Sequence, residues 1–334
     1  MNQSNHIFGS AEKSSNLAIS VVLSFKNEYE TIPELIRRLR NILDKQYKNN
    51  YELIFVNDKS TDRSEEVLLD AAIDHKDVKI ITMSRTFGVS ECVLAGMEYS
   101  SGDAVIYMDA DLQDPPEVIP DMIKAWRSDD NIDVVHTARL SRAGESCIKL
   151  WTTKLGYKIL KYVSNIDVQT EVGDFKLLSR RAVNHVIKFK ERNPFLRGLV
   201  NWIGFNQITI YYHREARYGG QNKFPTLGYK VIQNFLNSAL ISFSDLPLKV
   251  SFIIGVLFSL GALLTLILIV LLTQTVSWLQ AIMIVMLFLG GIQLITIGIL
   301  GLYIYSIFIE IKGRPRYIIE STFGFDNIPR FTSK

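Results

Sequence analysis

Cysteine is almost absent. Cys92 and Cys147 are the only two in 334 residues, and they stand in no redox or metal-ligating spacing. This excludes a disulfide scaffold, and in a reducing compartment it predicts free thiols. The five histidines are scattered and form no His-Glu-x-x-His array, so zinc chemistry is not expected. The first sixteen residues are polar without an apolar core, so no cleavable signal peptide is expected. There is no internal repeat and no low-complexity tract. Most informative is the absence of charge from Val250 to Ile309 in a chain that is otherwise richly charged.

At about 20 apolar residues per crossing, that stretch is long enough for two membrane helices and too short for three. Thr273-Gln274-Thr275-Val276-Ser277-Trp278 supplies a polar break ending in an interfacial aromatic. The expected crossings are 250–272 and 279–309. Lys249 precedes the pair and Lys312, Arg314 and Arg316 follow it, whereas the turn carries no basic residue. The positive-inside bias then places both flanks in the cytosol, giving a multi-pass protein of the inner (plasma) membrane.

The small net charge of +3 hides a segregation of sign. Residues 1–138 hold 14 Lys and Arg against 24 Asp and Glu (net −10), and residues 139–249 hold 18 against 7 (net +11). A basic segment next to a membrane is drawn to anionic headgroups and lipid phosphates. Within it, Ile148–Val163 and Thr226–Phe243 read as helices whose apolar residues are interrupted by lysines. At least one is expected to lie in the bilayer interface.

The acidic half alternates strand and helix signals. Strands are expected at Ala18–Ser24, Tyr51–Val56, Val78–Met83, Ala104–Met108 and Asp133–Thr137, with helices at Glu34–Gln46, from Asp62 as cap to His75, and at Ser90–Tyr99. Such alternation implies an α/β fold with a mostly parallel sheet. The expected organisation is a polar tail (1–16), a catalytic domain (17–225), a juxtamembrane interfacial segment (226–249), two transmembrane helices (250–309) and a cytoplasmic tail (310–334).

Asp109-Ala110-Asp111-Leu112-Gln113-Asp114 stands directly at the end of the apolar run Ala104–Met108. A buried strand so placed delivers two carboxylates into the crevice where open α/β sheets bind ligands. With the Gln113 carbonyl they form a hard oxygen donor set suited to Mg²⁺ or Mn²⁺. Such a cation is usually completed by water and substrate phosphates. The run therefore points to nucleotide-diphosphate chemistry.

These residues, with Gly173-Asp174-Phe175-Lys176-Leu177-Leu178, Phe195-Leu196-Arg197-Gly198, Trp202-Ile203-Gly204-Phe205, Phe243-Ser244-Asp245-Leu246-Pro247-Leu248 and Lys312-Gly313-Arg314-Pro315, resemble glycosyltransferase family 2 enzymes of the polyisoprenyl-phosphate type. The similarity runs from Ile19 to about Ile319. It implies a glycosyltransferase-A fold (Rossmann-like), a nucleotide sugar donor and a polyisoprenyl (undecaprenyl) phosphate acceptor. It further implies that Asp58 accepts from the nucleobase, and that Ser24, Asn27, Glu28 and Arg85 belong to the nucleotide-sugar site. Ser24 and Lys26 depart from the family's usual Pro-x-Tyr-Asn-Glu loop. Asp109 would hold the ribose or the metal, Asp111 and Gln113 the metal, and Asp174 would stand near the reacting sugar as base or orienting group. Arg139, Arg142, Arg217 and Lys223 are the expected acceptor-phosphate cations, since phosphate needs positioning charges more than it needs a base.

The expected activity is inverting, metal-dependent hexosyl transfer, with UDP-glucose the first candidate donor. The product is a lipid-linked sugar for cell-envelope glycan modification. A processive synthase would carry Gln-x-x-Arg-Trp and more membrane helices. A membrane-anchored nucleotide-sugar-binding or lipid-flipping accessory protein without transferase activity is the other reading. The bilayer is an expected partner and nucleic acid is not. Gly290-Gly291, Gly298 and Gly301 allow helix packing in a homo-oligomer.

Overall fold

The computed structural model describes residues 17–140, 172–192, 194–214 and 278–325, together with positions 253, 257, 260, 261 and 264. The chain divides into two compact units, Met1–Lys154, Val168–Thr226 and Pro315–Lys334 in one, Leu155–Asp167 and Leu227–Arg314 in the other.

The first unit is built on an eight-stranded sheet in the order β7-β5-β6-β4-β1-β2-β3-β8. The strands are β1 (Ile19–Phe25), β2 (Tyr51–Asn57), β3 (Val78–Met83), β4 (Ala104–Asp109), β5 (Ile132–Arg139), β6 (Val172–Ser179), β7 (Asn206–Tyr212) and β8 (Ile319–Phe323). β1, β2, β3 and β4 run parallel, while β6 is antiparallel to both β4 and β5. This is the mostly parallel α/β sheet that the alternating signals imply.

The helices are α1 (Ile32–Gln46), α2 (Ser64–Asp74), α3 (Val89–Tyr99), α4 (Ile119–Arg127), α5 (Arg180–Val186) and α6 (Leu196–Trp202). Core contacts put α1, α2 and α4 on one face of the sheet and α3, α5 and α6 on the other. With both faces covered, the central strands must be apolar along their whole length, and β1 reads Ile-Ser-Val-Val-Leu-Ser-Phe with every residue buried. α1 needs only one apolar stripe. Its buried Ile32, Leu35, Ile36, Leu39 and Leu43 fall at helical spacing, each worth roughly 1.5–3 kcal/mol of transfer free energy.

The expected strands match within two residues at each end, and Val78–Met83 matches at both. Two details differ. Asp62 lies two residues ahead of α2 and acts from there, its Oδ1 accepting from the Ser64 backbone N–H at 3.0 Å and from the Ser64 hydroxyl at 2.6 Å. The expected C-terminal tail contains β8, which pairs antiparallel with β3. Arg316 fastens the approach to β8, donating to the carbonyls of Ile187 at 3.0 Å and Phe189. The Tyr317 hydroxyl donates to Glu98.

In the second unit, α7 (Trp278–Ile311) covers the expected second crossing and continues two residues past it. Within it, Phe288–Ile311 is 24 residues with a mean hydropathy of 2.1, about 36 Å at 1.5 Å per residue. It is the one helix among the described residues that is long and apolar enough to cross a membrane. Most of 250–272 lies outside the described residues, as do the expected helices Ile148–Val163 and Thr226–Phe243. Of the expected first crossing, Ile253, Leu257, Leu260 and Leu264 are described as helical and exposed.

Candidate active site

The strand order reverses at β1, since β2 and β3 lie on one side of it and β4 on the other. That switch point opens a crevice at the carboxyl ends of β1 and β4. Ser24 and Asp109 face each other there in register, and the Ser24 hydroxyl donates to Asp109 Oδ1 at 3.3 Å. Three of the four non-glycine residues with positive φ, Asn27, Lys59 and Leu112, stand in loops at this same edge. Backbone strain of this kind persists where the surroundings over-determine it, typically at functional sites. Leu112 is wholly buried, which fixes the loop between Asp111 and Gln113 despite a φ of +57°.

Asp174 is the third residue of β6, and Tyr107↔Lys176 pairing on β4 and β6 carries it toward Asp109. A cavity of about 210 Å³ is lined by Ser90, Tyr107, Asp109, Asp174, Leu196 and Arg197. A larger hollow lies at the opposite edge of the sheet, beside Asn49, Glu52 and Lys79, away from these acids. Burial pushes the Asp109 carboxyl up to about 7, with Asp174, Asp111 and Asp114 adding to the rise. Burial also raises Asp174, but Arg197, with smaller help from Lys176 and Arg139, outweighs it and holds Asp174 below the usual carboxylate range. Arg197 Nε donates to Asp174 Oδ1 at 2.6 Å, and its Nη2 to Oδ2.

The first loop is stitched to the second. The Asn27 backbone N–H donates to Ser60 Oγ at 2.9 Å, and Asn27 Oδ1 accepts from the Thr61 N–H at 2.7 Å. The Glu28 N–H donates to Ser64 Oγ at 2.9 Å, and its carboxylate accepts from the Thr31 hydroxyl at 3.3 Å. Lys26, the departure from the family loop, donates to Thr86 Oγ1 at 2.6 Å. Asp58 is buried, and its Oδ1 accepts from the backbone N–H groups of Phe87 at 2.7 Å and Gly88 at 3.3 Å. Arg85 is exposed, lies 3.9 Å over the Phe87 ring and donates to the Thr86 carbonyl at 3.0 Å.

Asp111 Oδ1 accepts from the Gln113 backbone N–H at 3.1 Å. Among the described residues, no three His, Cys, Asp or Glu side chains form a group that could cage a metal ion. An open set of two carboxylates and an amide still fits Mg²⁺ or Mn²⁺, which keep waters and take substrate phosphates as further ligands. The crowding that raises Asp109 is the electrostatic complement of a cation. The donor set therefore suits a hard divalent metal.

Beyond it, Asp114 anchors a second cluster that sequence reasoning did not find. Its Oδ1 accepts from the Tyr212 hydroxyl and lies 3.5 Å from Arg139 Nη2 and 3.7 Å from Arg214 Nε. Arg214 Nη2 donates to Gln113 Oε1. The expected phosphate cation Arg139 thus sits against Asp114, at the end of β5. Arg142, Arg217 and Lys223 lie outside the described residues. Arg214 carries no local signal, because its partner Gln113 lies 101 residues earlier; Arg197 stands in the Phe195-Leu196-Arg197-Gly198 block, but nothing local pairs it with Asp174, 23 residues away. Trp202 is exposed and packs edge-on against Phe189, and Phe205 packs against His185.

Residues 20–187 match the family model described as Glycosyl transferase family 2. An uncharacterized glycosyltransferase of Bacillus subtilis is 37% identical over 318 residues, covering 94% of this chain and 97% of its own. The bactoprenol glucosyl transferase of Shigella phage SfII is 36% identical over 312 residues, covering 92% and 98%. Among solved structures, glucosyl-3-phosphoglycerate synthase from Mycobacterium tuberculosis with Mn²⁺, UDP-glucose and phosphoglyceric acid aligns at a TM-score of 0.44 and 20% identity, over 61% of this chain and 73% of that one.

Proposed function

The chain belongs to glycosyl transferase family 2, and we propose that it moves a hexose from a nucleotide sugar to a polyisoprenyl phosphate at a membrane surface. The observation that carries this reading is the meeting of Ser24, Asp109 and Asp174 at the switch-point crevice, with Asp58 at the end of β2 on one side and Arg139 at the end of β5 on the other. Near-whole-length similarity to a bactoprenol glucosyl transferase supports a lipid-carrier acceptor. UDP-glucose is the donor we favour. α7, with a second crossing over 250–272, would hold the catalytic residues on the cytosolic side near the acceptor's headgroup.

In this reading an acceptor phosphate oxygen forms a bond to the anomeric carbon while the bond from that carbon to the nucleoside diphosphate breaks. Attack from the opposite side inverts the centre and leaves a β-linked polyisoprenyl-phosphate sugar. A lipid phosphate is already anionic near neutral pH, so the step needs positioning more than proton removal. Asp174, ion-paired and held in its charged form, suits orienting a sugar hydroxyl rather than taking a proton. Asp58 would accept from the nucleobase with the oxygen left over from the Phe87 and Gly88 N–H groups. Asp109, Asp111 and Gln113 would hold Mg²⁺ or Mn²⁺, which when bound neutralises charge on the departing diphosphate.

The test is transfer of radiolabelled sugar by the purified full chain from a panel of nucleotide sugars. Product that requires both polyisoprenyl phosphate and a divalent cation supports the reading. Binding of nucleotide sugar without transfer to any lipid phosphate would favour the accessory role instead.

A further inference from the structure

Arg139 at the end of β5 and Arg214 just beyond β7 carry two guanidinium groups around the single buried carboxylate of Asp114. The Tyr212 hydroxyl donates to the same oxygen, and Arg139 Nε donates to the Tyr212 hydroxyl at 3.3 Å. Asp114 thus neutralises one of the two cations, and the group as a whole keeps one positive charge. Arg214 Nε is itself buried and makes no hydrogen bond, Asp114 Oδ1 lying 3.7 Å away, while the rest of the side chain is partly exposed. A buried N–H that makes no hydrogen bond is costly and calls for an explanation, a bound ion or ligand among them. The remaining Arg214 contact, Nη2 to Gln113 Oε1, uses an amide oxygen of the loop that bears the acid pair.

The strand order gives this cation a side. Asp58 directly follows β2 and Ser24 lies near the end of β1, whereas Arg139 and Tyr212 end β5 and β7, across β4 and β6 from them. A donor laid with its base toward Asp58 and its diphosphate at Asp109 and Asp111 directs its sugar toward β6 and its leaving bond away from β7. The anion that must approach from the β5–β7 side is the acceptor.

We propose that Arg214 is a binding residue for the acceptor's phosphate, held in wait by Asp114 and Gln113. A planar guanidinium suits a phosphate, offering paired N–H donors where an ammonium offers a point charge. Asp114 and Gln113 hold the guanidinium, and Tyr212 braces Asp114 from the other side. Gln113 Oε1, which accepts from Arg214, is also one of the oxygens that would hold a cation, so occupation of the donor site would compete with this hydrogen bond. This inference rests on the reading of the chain as a polyisoprenyl-phosphate hexosyltransferase.

The experiment uses the full chain in detergent, undecaprenyl phosphate, and whichever nucleotide sugar the wild type consumes. The wild-type rate comes first, and absence of lipid-dependent transfer there would overturn the proposed function itself. Given an active wild type, Arg214→Met is expected to raise KM for undecaprenyl phosphate at least tenfold while KM for the nucleotide sugar stays within twofold, and Arg214→Lys to fall between the two. A rise confined to the nucleotide-sugar KM would assign the guanidinium to the donor diphosphate and overturn the acceptor role. A loss of kcat alone, equal in the Met and Lys variants with both KM values unchanged, would mark a structural prop and overturn it too.

Discussion

Arg197 closes on both oxygens of Asp174, and it is this pairing that keeps a carboxylate charged although burial works against it. Both partners line the cavity that contains Asp109. Replacing Arg197 with Met leaves the burial and removes the cation, so the Asp174 pKa rises. An opposite charge beside a carboxylate is worth roughly 1–3 pKa units. If charged Asp174 is the active form, activity is lost as pH falls through its pKa. The acid limb of the pH–rate profile should therefore move up by about one unit or more, read from kcat/KM for sugar transfer between pH 4 and 9. An unmoved limb would remove Asp174 from the chemistry.

Asp111→Ala deletes a donor from the proposed cation site on a loop whose shape is held by buried Leu112. The expected loss is about 10²-fold or more in kcat, the scale of removing one strong electrostatic stabiliser. The variant should keep its circular dichroism spectrum and melting temperature. Transfer at the wild-type rate would dismiss the metal role of this side chain.

Lys176 is fully buried on β6, and its Nζ has no hydrogen-bond partner. Burial lowers its pKa to about 7, against a partial upward pull from Asp174. The unfolded chain holds the proton up to about 10.4, so between the two values the unfolded state binds more protons and stability rises with pH. The penalty is full below about 7 and gone above the unfolded value. Lys176→Met should raise the melting temperature by about 2–4 °C at pH 7, the scale of ~1 kcal/mol in a domain of this size. That gain should shrink steadily toward pH 10. A gain that grew with pH would contradict the buried neutralised amine.

Arg316→Ala removes donors to the Ile187 and Phe189 carbonyls. Hydrogen bonds from a charged group contribute about 1.5–3 kcal/mol, so thermal unfolding of the full chain should shift down correspondingly. Tyr317→Phe, which loses one hydroxyl contact to Glu98, should cost less. Equal effects from both would mean that β8 is not held by Arg316.

Several elements were legible because a local pattern closes on itself. The run Ala104–Met108 is apolar, ends sharply at Asp109, and gives both the strand and the acid it presents. β6 was harder: Asp174 and Lys176 alternate with Gly173, Phe175 and Leu177, a pattern that locally assigns the charged residues to solvent, whereas α6 supplies Arg197 above them. β8 is five residues with a half-exposed face, and its partner β3 lies more than two hundred residues earlier. No window of sequence contains that pairing. A separation of 98 residues likewise hides Asp114 from Tyr212, and Arg214 lies two residues further on. The resemblance contributed the donor side and Arg139; Arg214, and the pairing of the arginines with Asp174 and Asp114, came from the fold.

β8 has a consequence for biogenesis. The row of unpaired backbone groups along β3 is covered by residues that follow α7 in the chain. A ribosome must therefore have finished the greasy helix before the sheet can be sealed, and a fragment cut off ahead of α7 would keep an open, adhesive edge. Translation order makes completion of the sheet wait upon synthesis of a helix apolar enough to cross a membrane.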